Sequence, residues 1–451
     1  MSRRQPLLRR RQTVTEPQLL QNGAQHMLRQ NQSRNRPLAG TAKGVAAIEH
    51  ALWAALLPLR PFDVVAAAEN AVGHGTLREK ETAMPLRRTP FHALASAMGA
   101  QMGPVGGEFL NVHSYGDVAG EHLNTRANVG LQDLSTMGKI DIKGPDAEAL
   151  VNHLIVNDAA RMAPGQARYA SVCAPDGGIM DDLTVFRLGS EHFLIVTGSR
   201  NRLKIRDWTM AHSAGRRAYV TDITAAIAFP TIQGPKSRAL LQSLIEDVDL
   251  AKLKRWTFTH GHIEGTRVMI SRTGVTGELG FELFVPADEA ASVWNALFRV
   301  GGIHGLRPYG VAAMFTLGLE KLYPAHGIDM DESLTPFHVG TDAFIKFDKG
   351  DFIGREALLR ARDTGVNTAW VGLKLAVDSR PVPALTPVLF QGRQIGSITY
   401  SDHGYSVGAA LATAHVQKEF SAEGTEVSVL GQPATVVRKA FFDPEGVRLK
   451  S

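Results

Sequence analysis

Apolar residues recur along this chain at two spacings, one typical of helices and one typical of strands. Residues 145–158 (PDAEALVNHLIVND) and 288–302 (DEAASVWNALFRVGG) have the three- and four-residue spacing of amphipathic helices, and the second ends in glycines. Residues 192–199 (HFLIVTGS) predict a buried strand, and residues 267–286 predict two strands joined by a glycine-containing loop. From about residue 89 the pattern therefore predicts alternating helices and strands.

Near residue 368 the pattern changes to strands alone. Runs such as 369–377 (AWVGLKLAV) and 425–442 (TEVSVLGQPATVVRKAFF) are short and are separated by Gly, Pro and Asp, which is typical of a β-barrel or jelly roll. Residues 354–368 (GREALLRARDTGVNT) predict the connector. We therefore predict an α+β protein, with a mixed α/β region over 84–365 and a β-barrel domain over 366–451.

The first 83 residues differ from the rest. Residues 1–40 contain eight arginines and seven glutamines but a single acid, Glu16, and they have no sustained apolar face. Such a segment buries too little apolar surface to offset the entropy of ordering it, so residues 1–83 are expected to be poorly ordered. Alternatives are an organelle transit peptide, a nucleic-acid or membrane-surface arm, or translation begun upstream of a natural start at Met84.

Composition excludes several classes of protein. The chain has 451 residues and one cysteine, Cys173, so neither an internal disulfide nor a cysteine-based zinc site can form. A net charge of +5 does not argue for nucleic acid, and no long uncharged apolar run predicts a membrane span. Nucleotide-binding glycine loops and the common hydrolase and metalloprotease motifs are missing, and we predict no metal site. A cytoplasmic location is expected, or a mitochondrial one if the first 83 residues include a transit peptide.

Residues 176–188 (DGGIMDDLTVFRL) raise a chemical question. Two glycines make a turn, and Asp181 and Asp182 open a strand whose successive side chains point to opposite faces. One carboxylate must therefore point toward a core or a pocket, where it is costly unless something pairs with it.

Several spaced segments resemble the folate-dependent aminomethyltransferase superfamily, whose founder is the glycine cleavage T protein. They include GLQDLSTMGKIDIKGPDA (130–147), SRTGVTGELGFELFVP (271–286), DMDESLTPFHVG (329–340) and GSITYSDHGYSVGAALA (396–412), in register over about residues 85–448. The sequence of residues 181–199 is more specifically similar to the folate domains of sarcosine and dimethylglycine dehydrogenases and related demethylases. The resemblance implies two interleaved mixed α/β domains and a C-terminal β-barrel around a central folate-binding funnel.

The resemblance also implies roles for single residues. Asp182, the second acid of the turn, would be catalytic: it would meet tetrahydrofolate, orient the folate amine and stabilise developing positive charge. Tyr169 would lie near the folate ring, and Glu282 would accept two parallel hydrogen bonds from the pteridine. Tyr323 would line the pocket. Asp181 would be a structural or solvated partner, and a one-residue register slip would exchange the two aspartates.

The implied activity is transfer of a one-carbon unit from an amine or methylated donor to tetrahydrofolate. Met314 stands where glycine cleavage T proteins have an arginine and where the dehydrogenase-fused branch tends to be apolar. Gly318 stands where both branches usually have an arginine, so the tight ion pairing of the donor in a T protein is not expected. The partner would be a small-molecule donor, with a separate oxidase or a carrier protein as further possibilities, and neither nucleic acid nor a membrane. The alternative is a non-catalytic folate-binding protein of the iron–sulfur assembly type. Asp351 argues against it, because it stands where those proteins have a cysteine.

Overall fold

A computed structural model describes residues 86–376 and 378–451. The predicted extension over residues 1–83 lies outside these ranges. Within them no helix is both long and apolar enough to cross a membrane.

The elements are numbered here in chain order. The strands of the mixed region are β1 (Arg87–Arg88), β2 (Gln101–Val105), β3 (Phe109–Ser114), β4 (Val129–Asp133), β5 (Gly138–Lys143), β6 (Ala167–Cys173), β7 (Ile179–Gly189), β8 (His192–Thr197), β9 (Tyr219–Asp222), β10 (Ile227–Ala228), β11 (Pro230–Gln233), β12 (Phe258–Ile263), β13 (Thr266–Ser271), β14 (Gly280–Pro286) and β15 (Leu306–Pro308). Those of the C-terminal region are β16 (Thr368–Leu375), β17 (Pro387–Phe390), β18 (Arg393–Gly404), β19 (Ala409–Gln417), β20 (Glu426–Val429) and β21 (Gln432–Val437). The α-helices are α1 (His92–Ala97), α2 (Val118–Ala127), α3 (Ala147–Leu154), α4 (Arg202–Ser213), α5 (Ser237–Gln242), α6 (Ala290–Gly301), α7 (Val311–Glu320), α8 (Pro336–Val339), α9 (Arg355–Thr364) and α10 (Val447–Lys450).

The first large sheet is antiparallel, with strand order β6-β7-β8-β5-β9. One face packs on α3 and α4 through alternating residues of each strand, among them Ile140, Leu183 and Ile195. The predicted helix over 145–158 forms as α3, which contributes Leu150 to the same core. Burying this face holds the sheet and its helices together as one layer pair.

The second large sheet has strand order β12-β13-β14-β11-β4-β15, and β10 pairs with β14. Its outer face packs on α5 and α6 through residues that include Ile270, Leu283 and Trp294. Strand β4 belongs to this sheet although it precedes every strand of the first sheet in the chain. The two mixed α/β domains are therefore interleaved, as predicted.

The inner faces of the two sheets meet in an aromatic cluster. Phe186 of the first sheet lies 5.2 Å, ring centre to ring centre, from Phe284 of the second, and Phe284 lies 4.5 Å from Phe229. Val196 and Met269 complete the contact from β8 and β13. The cluster fixes the two inner faces toward each other.

The C-terminal strands close a six-stranded barrel in the order β16-β19-β18-β17-β20-β21, which confirms the predicted β-barrel. Ladders between β16 and both β19 and β21 complete the closure, and α9 occupies most of the predicted connector. The barrel interior is filled by Val371, Leu373, Ile398 and Val436. Closure leaves the barrel without an open edge between its first and last strands.

Candidate functional site

The register of β6 and β7 separates the two adjacent aspartates. Asp182 lies opposite Ser171 and therefore on the inner face of the first sheet, whereas Asp181 lies opposite Val172 on the helix-packed face. This agrees with the orientation expected from strand alternation. The two carboxylates consequently have different surroundings.

Asp181 is a buried acceptor with a full set of donors. Its carboxylate accepts hydrogen bonds from the Thr197 hydroxyl, from the Gly198 amide at 3.2 Å and from the Asn201 side-chain amide at 2.6 Å. Burial raises the pKa of Asp181, and the hydrogen bonds from Thr197 and Asn201 counter that rise. This pairing answers how a carboxylate can be accommodated on the packed face.

Asp182 is the more open of the two carboxylates. It is partly exposed, and the Tyr169 hydroxyl donates a hydrogen bond to it. Burial, followed by the charge of Asp181, raises the pKa of Asp182 to about 7. The Tyr169 ring lies 5.1 Å from the ring of Phe344, which is itself partly exposed. Asp182 can therefore exchange a proton near neutral pH while remaining within reach of a ligand.

A row of polar side chains crosses the inner face of the second sheet. Gln132, Thr231, Glu282 and Ser271 lie opposite one another on β4, β11, β14 and β13. Glu282 is buried and accepts a hydrogen bond from the Thr273 hydroxyl. Burial raises its pKa to about 7. A carboxylate with so little pairing is costly to bury, and a polar partner along this row would offset that cost.

Two further polar residues in or near this row, Gln132 and Tyr309, were not predicted from the sequence. Neither polar atom of the buried Gln132 amide, nor the hydroxyl of the buried Tyr309, has a hydrogen-bond partner among the described residues. Burial, and after it the charge of Glu282, raises the pKa of Tyr309, which indicates that its hydroxyl lies near that carboxylate. Gln132 stands two residues before Leu134 in a segment that the resemblance covers, but no local pattern distinguishes it from an ordinary strand glutamine.

Tyr323 stands apart from this group. Its side chain is 37% exposed, and the charges acting on it belong to Arg255, Arg126 and Asp443 rather than to Asp182 or Glu282. Its role in binding stays a prediction.

The two positions on α7 that depart from the resemblance differ in their surroundings. Met314 packs against the aromatic cluster between the sheets, and a Cβ at Gly318 would meet no atom within 4 Å. The described residues contain no group of three metal-ligating side chains suited to a metal ion. Glu278, in the loop before β14, is buried in ion pairs with Arg126 and Arg448.

Two family models match the chain. The GCVT N-terminal domain matches residues 91–349, and the glycine cleavage T-protein C-terminal barrel domain matches residues 369–443. The chain belongs to the glycine cleavage T-protein family. Membership implies folate-dependent one-carbon transfer. The matches support this activity better than they support the iron–sulfur assembly alternative.

Individual T-protein relatives agree with this assignment. The chain is 38% identical over 361 residues to an aminomethyltransferase of Moorella thermoacetica, covering 79% of this chain and 98% of that protein. It is 39% identical over 364 residues to an aminomethyltransferase of Streptomyces avermitilis, covering 79% and 97% respectively. Among solved structures, the glycine cleavage aminomethyltransferase T of Bartonella henselae matches with a TM-score of 0.73 at 28% identity, over 79% of this chain and 98% of that one. The similarity in wording to the demethylase branch stays a prediction.

Proposed function

We propose that this protein is a tetrahydrofolate-dependent transferase that moves a one-carbon unit from an amine or methylated donor. The observation that carries the proposal is the presence of two poorly paired carboxylates, Asp182 and Glu282, on the inner faces of two sheets that meet. The pKa of each is raised to about 7 by burial.

The polar row on the second sheet suits a flat heterocycle such as the pteridine. Glu282 offers two acceptor oxygens, while the Gln132 amide offers both donors and acceptors and Tyr309 offers a hydroxyl. All three have unused hydrogen-bonding capacity in a buried setting, so a ligand with donors and acceptors along its edge would satisfy them. These residues would hold tetrahydrofolate, which when bound supplies the nitrogen that accepts the one-carbon unit.

Asp182 would act at the reacting centre. A donor amine that leaves must gain a proton, and positive charge develops as its bond to carbon breaks. A fixed carboxyl that titrates near neutral pH can hold that proton in one state and stabilise the charge in the other. Tyr169 would orient Asp182 through its hydroxyl.

α7 has Met314 and Gly318 at the two positions where the resemblance implies donor-side arginines, so we expect the donor to be recognised without an ion pair to α7. A small methylated or primary amine meets that requirement. The same donor group could instead be delivered by a larger partner, either bound to a carrier protein or released as the product of a separate oxidase.

The test is titration calorimetry with tetrahydrofolate on Glu282→Ala. Loss of a buried carboxylate that accepts two hydrogen bonds is worth about 2–4 kcal/mol, so affinity should fall about 30- to 1,000-fold. Glu246→Ala, an exposed glutamate of the same domain, is the matched control and should bind normally. If folded Glu282→Ala binds folate as tightly as the unaltered protein, the proposed site is wrong.

A further inference from the structure

A turn outside both large sheets reaches the buried carboxylate of Asp181. His326 Nδ1 lies 2.9 Å from Asn201 Nδ2, and the same Asn201 nitrogen lies 2.6 Å from Asp181 Oδ1. On the other side of the ring, His326 Nε2 lies 3.0 Å from the carbonyl oxygen of Ile179, two residues before Asp181. Asp181 is thus connected to a residue far away in sequence.

The hydrogens of this chain of contacts can be assigned from chemistry alone. A carbonyl oxygen only accepts, so His326 Nε2 carries the hydrogen and donates to Ile179. His326 Nδ1 is then an acceptor, and one Asn201 N–H donates to it while the other donates to Asp181. The imidazole thereby fixes which end of the Asn201 amide faces the carboxylate, because a rotated amide would present oxygen to two acceptors.

The turn that carries His326 is anchored to the barrel. Asp329 Oδ1 accepts hydrogen bonds from Trp370 Nε1 at 2.9 Å, from the Thr399 hydroxyl at 2.6 Å and from the Thr413 hydroxyl at 2.8 Å. Its other oxygen accepts from the Ala325 amide at 3.0 Å. Both carboxylate oxygens are engaged, which ties the turn that carries the imidazole to the barrel.

We propose that Asn201 and His326 are positioning residues that keep Asp181 ionised and thereby set the proton occupancy of Asp182. Asn201 contacts the Asp181 carboxylate and His326 contacts Asn201, so both act through Asp181. The consequence for catalysis rests on the proposed function, whereas the consequence for the proton on Asp182 does not.

The direction of the effect follows from like-charge repulsion. The groups that act on Asp182 are Tyr169, Asp181 and Asp329, and those that act on Asp181 are Thr197, Gly198, Asn201 and His326. Removing a donor from Asp181 makes its charged form less stable. At any given pH Asp181 is then less often ionised, repels Asp182 less, and allows Asp182 to ionise at lower pH.

The experiment is an infrared pH titration of the ligand-free protein containing [4-13C]aspartate, followed at the stretch of the protonated carboxyl. The isotope separates aspartates from Glu282, and the band missing from Asp182→Asn identifies Asp182. We expect Asn201→Ala to lower the midpoint of that band by about 0.5–1 pH unit. His326→Phe should shift it in the same direction by less, because the amide remains but is no longer oriented.

The double variant decides whether His326 acts through Asn201. We expect Asn201→Ala with His326→Phe to match Asn201→Ala alone. An unchanged midpoint in Asn201→Ala, or an additive shift in the double variant, would overturn the proposal. If Asn201→Ala unfolds, Asn201→Leu, which is closer in volume and also has no side-chain donor, is measured in its place, with circular dichroism as the check on folding.

Transfer assays on the same variants separate the two proposals. The acidic limb of the rate against pH should move with the infrared midpoint. An infrared shift in a protein that does not transfer one-carbon units would leave the positioning role intact and contradict the proposed function. One-carbon transfer by a protein whose infrared midpoint does not move in the variants would support the proposed function and contradict the positioning role.

Discussion

Asp181 and Asp182 are neighbours in the chain but have different chemical surroundings. Strand alternation points one into the helix-packed layer, where three donors engage it, and the other to the inner face, where Tyr169 is its side-chain donor. The surroundings of each carboxyl, rather than the residue type, determine which one is available to a ligand.

The asparagine variants of these two residues should therefore fail in different ways. We expect Asp182→Asn to fold normally and to slow single-turnover transfer about 10²- to 10³-fold, because it loses a preorganised charge. Asp181→Asn would place an amide N–H₂ among three donors and should lower the free energy of unfolding by about 1–3 kcal/mol. Urea denaturation and rapid-quench kinetics on both variants measure this, and a normal transfer rate in Asp182→Asn would refute its catalytic role.

A second prediction concerns the pH dependence of tetrahydrofolate binding through Glu282. Its pKa is raised to about 7 by burial, and the ionised form is the better acceptor for two N–H groups. Binding should therefore release a proton below pH 7, and affinity should fall, by at most about tenfold per pH unit, as the pH drops further. Calorimetry in buffers of different ionisation enthalpy counts the proton. Glu282→Gln should show no release, and equal release from that variant would exclude Glu282 as the source.

Sequence alone was enough for some residues of the site and not for others. Alternation along a strand predicts that Asp181 and Asp182 point to opposite faces, and the structure agrees. That Asp182 and Glu282 are the ones pointing inward was implied by the resemblance, and the two registers agree with it. Gln132, Tyr309 and His326 could not be found in this way, because each matters through a partner far away in the chain. An unpaired amide or a fixed tautomer becomes visible only when all neighbours are known.

At the scale of elements, the turn before β7 is held by close packing. Gly177 has a φ of +90°, and a Cβ at Gly178 would lie 1.9 Å from the backbone oxygen of Glu332. The Ile179 amide also donates to the Leu334 carbonyl at 2.9 Å. This contact joins the start of β7 to the segment that follows the His326 turn.

Gly178→Ala should therefore push the two segments apart. We expect a loss of about 1–3 kcal/mol in the free energy of unfolding, together with slower transfer because Asp182 follows on the same strand. Gly103→Ala on β2 is the matched control, since its Cβ would meet no atom closer than 3.9 Å. Equal stability of the two variants in thermal denaturation would contradict the packing argument.

The existence and type of elements were largely predictable, whereas their pairing was not. Apolar spacing predicts α3, α6 and the strands on either side of the glycine loop before β14, and turn residues predict the barrel. Nothing local indicates that β4 joins the second sheet, because its buried residues Val129 and Leu131 would suit either one.

At the scale of the molecule, a buried ionic cluster ties distant parts of the chain together. Arg126 on α2 pairs with Glu278 at 2.9 Å and with Glu320 of α7 at 3.0 Å, and Arg448 of α10 also pairs with Glu278 at 2.8 Å. Arg126, Glu278 and Glu320 are almost completely buried. Removing one partner from such a cluster is costly, because the remaining buried carboxylate loses an ion pair and is not solvated by water in its place.

Arg126→Ala should accordingly lower the free energy of unfolding by about 3–5 kcal/mol. Arg393→Ala removes an exposed pair with Glu419 and should cost less than about 1 kcal/mol. Guanidinium chloride would screen the charges, so urea is the denaturant of choice. Similar losses in the two variants would mean that the buried cluster adds nothing beyond an exposed pair.

The place of β4 in the second sheet has a consequence for how the protein is made. Val129 must pair with Leu306, and Gln132 with Thr231, so β4 leaves the ribosome long before either neighbour exists. At about 5–20 residues per second, it waits on the order of 10 seconds or more with both edges open, as an unpaired strand that other nascent chains can join. The same topology limits where the chain can be divided into separately expressed pieces. A cut between β9 and β11 separates β4 from the other strands of its sheet, whereas a cut just before β16 separates no pair of hydrogen-bonded strands among the described residues.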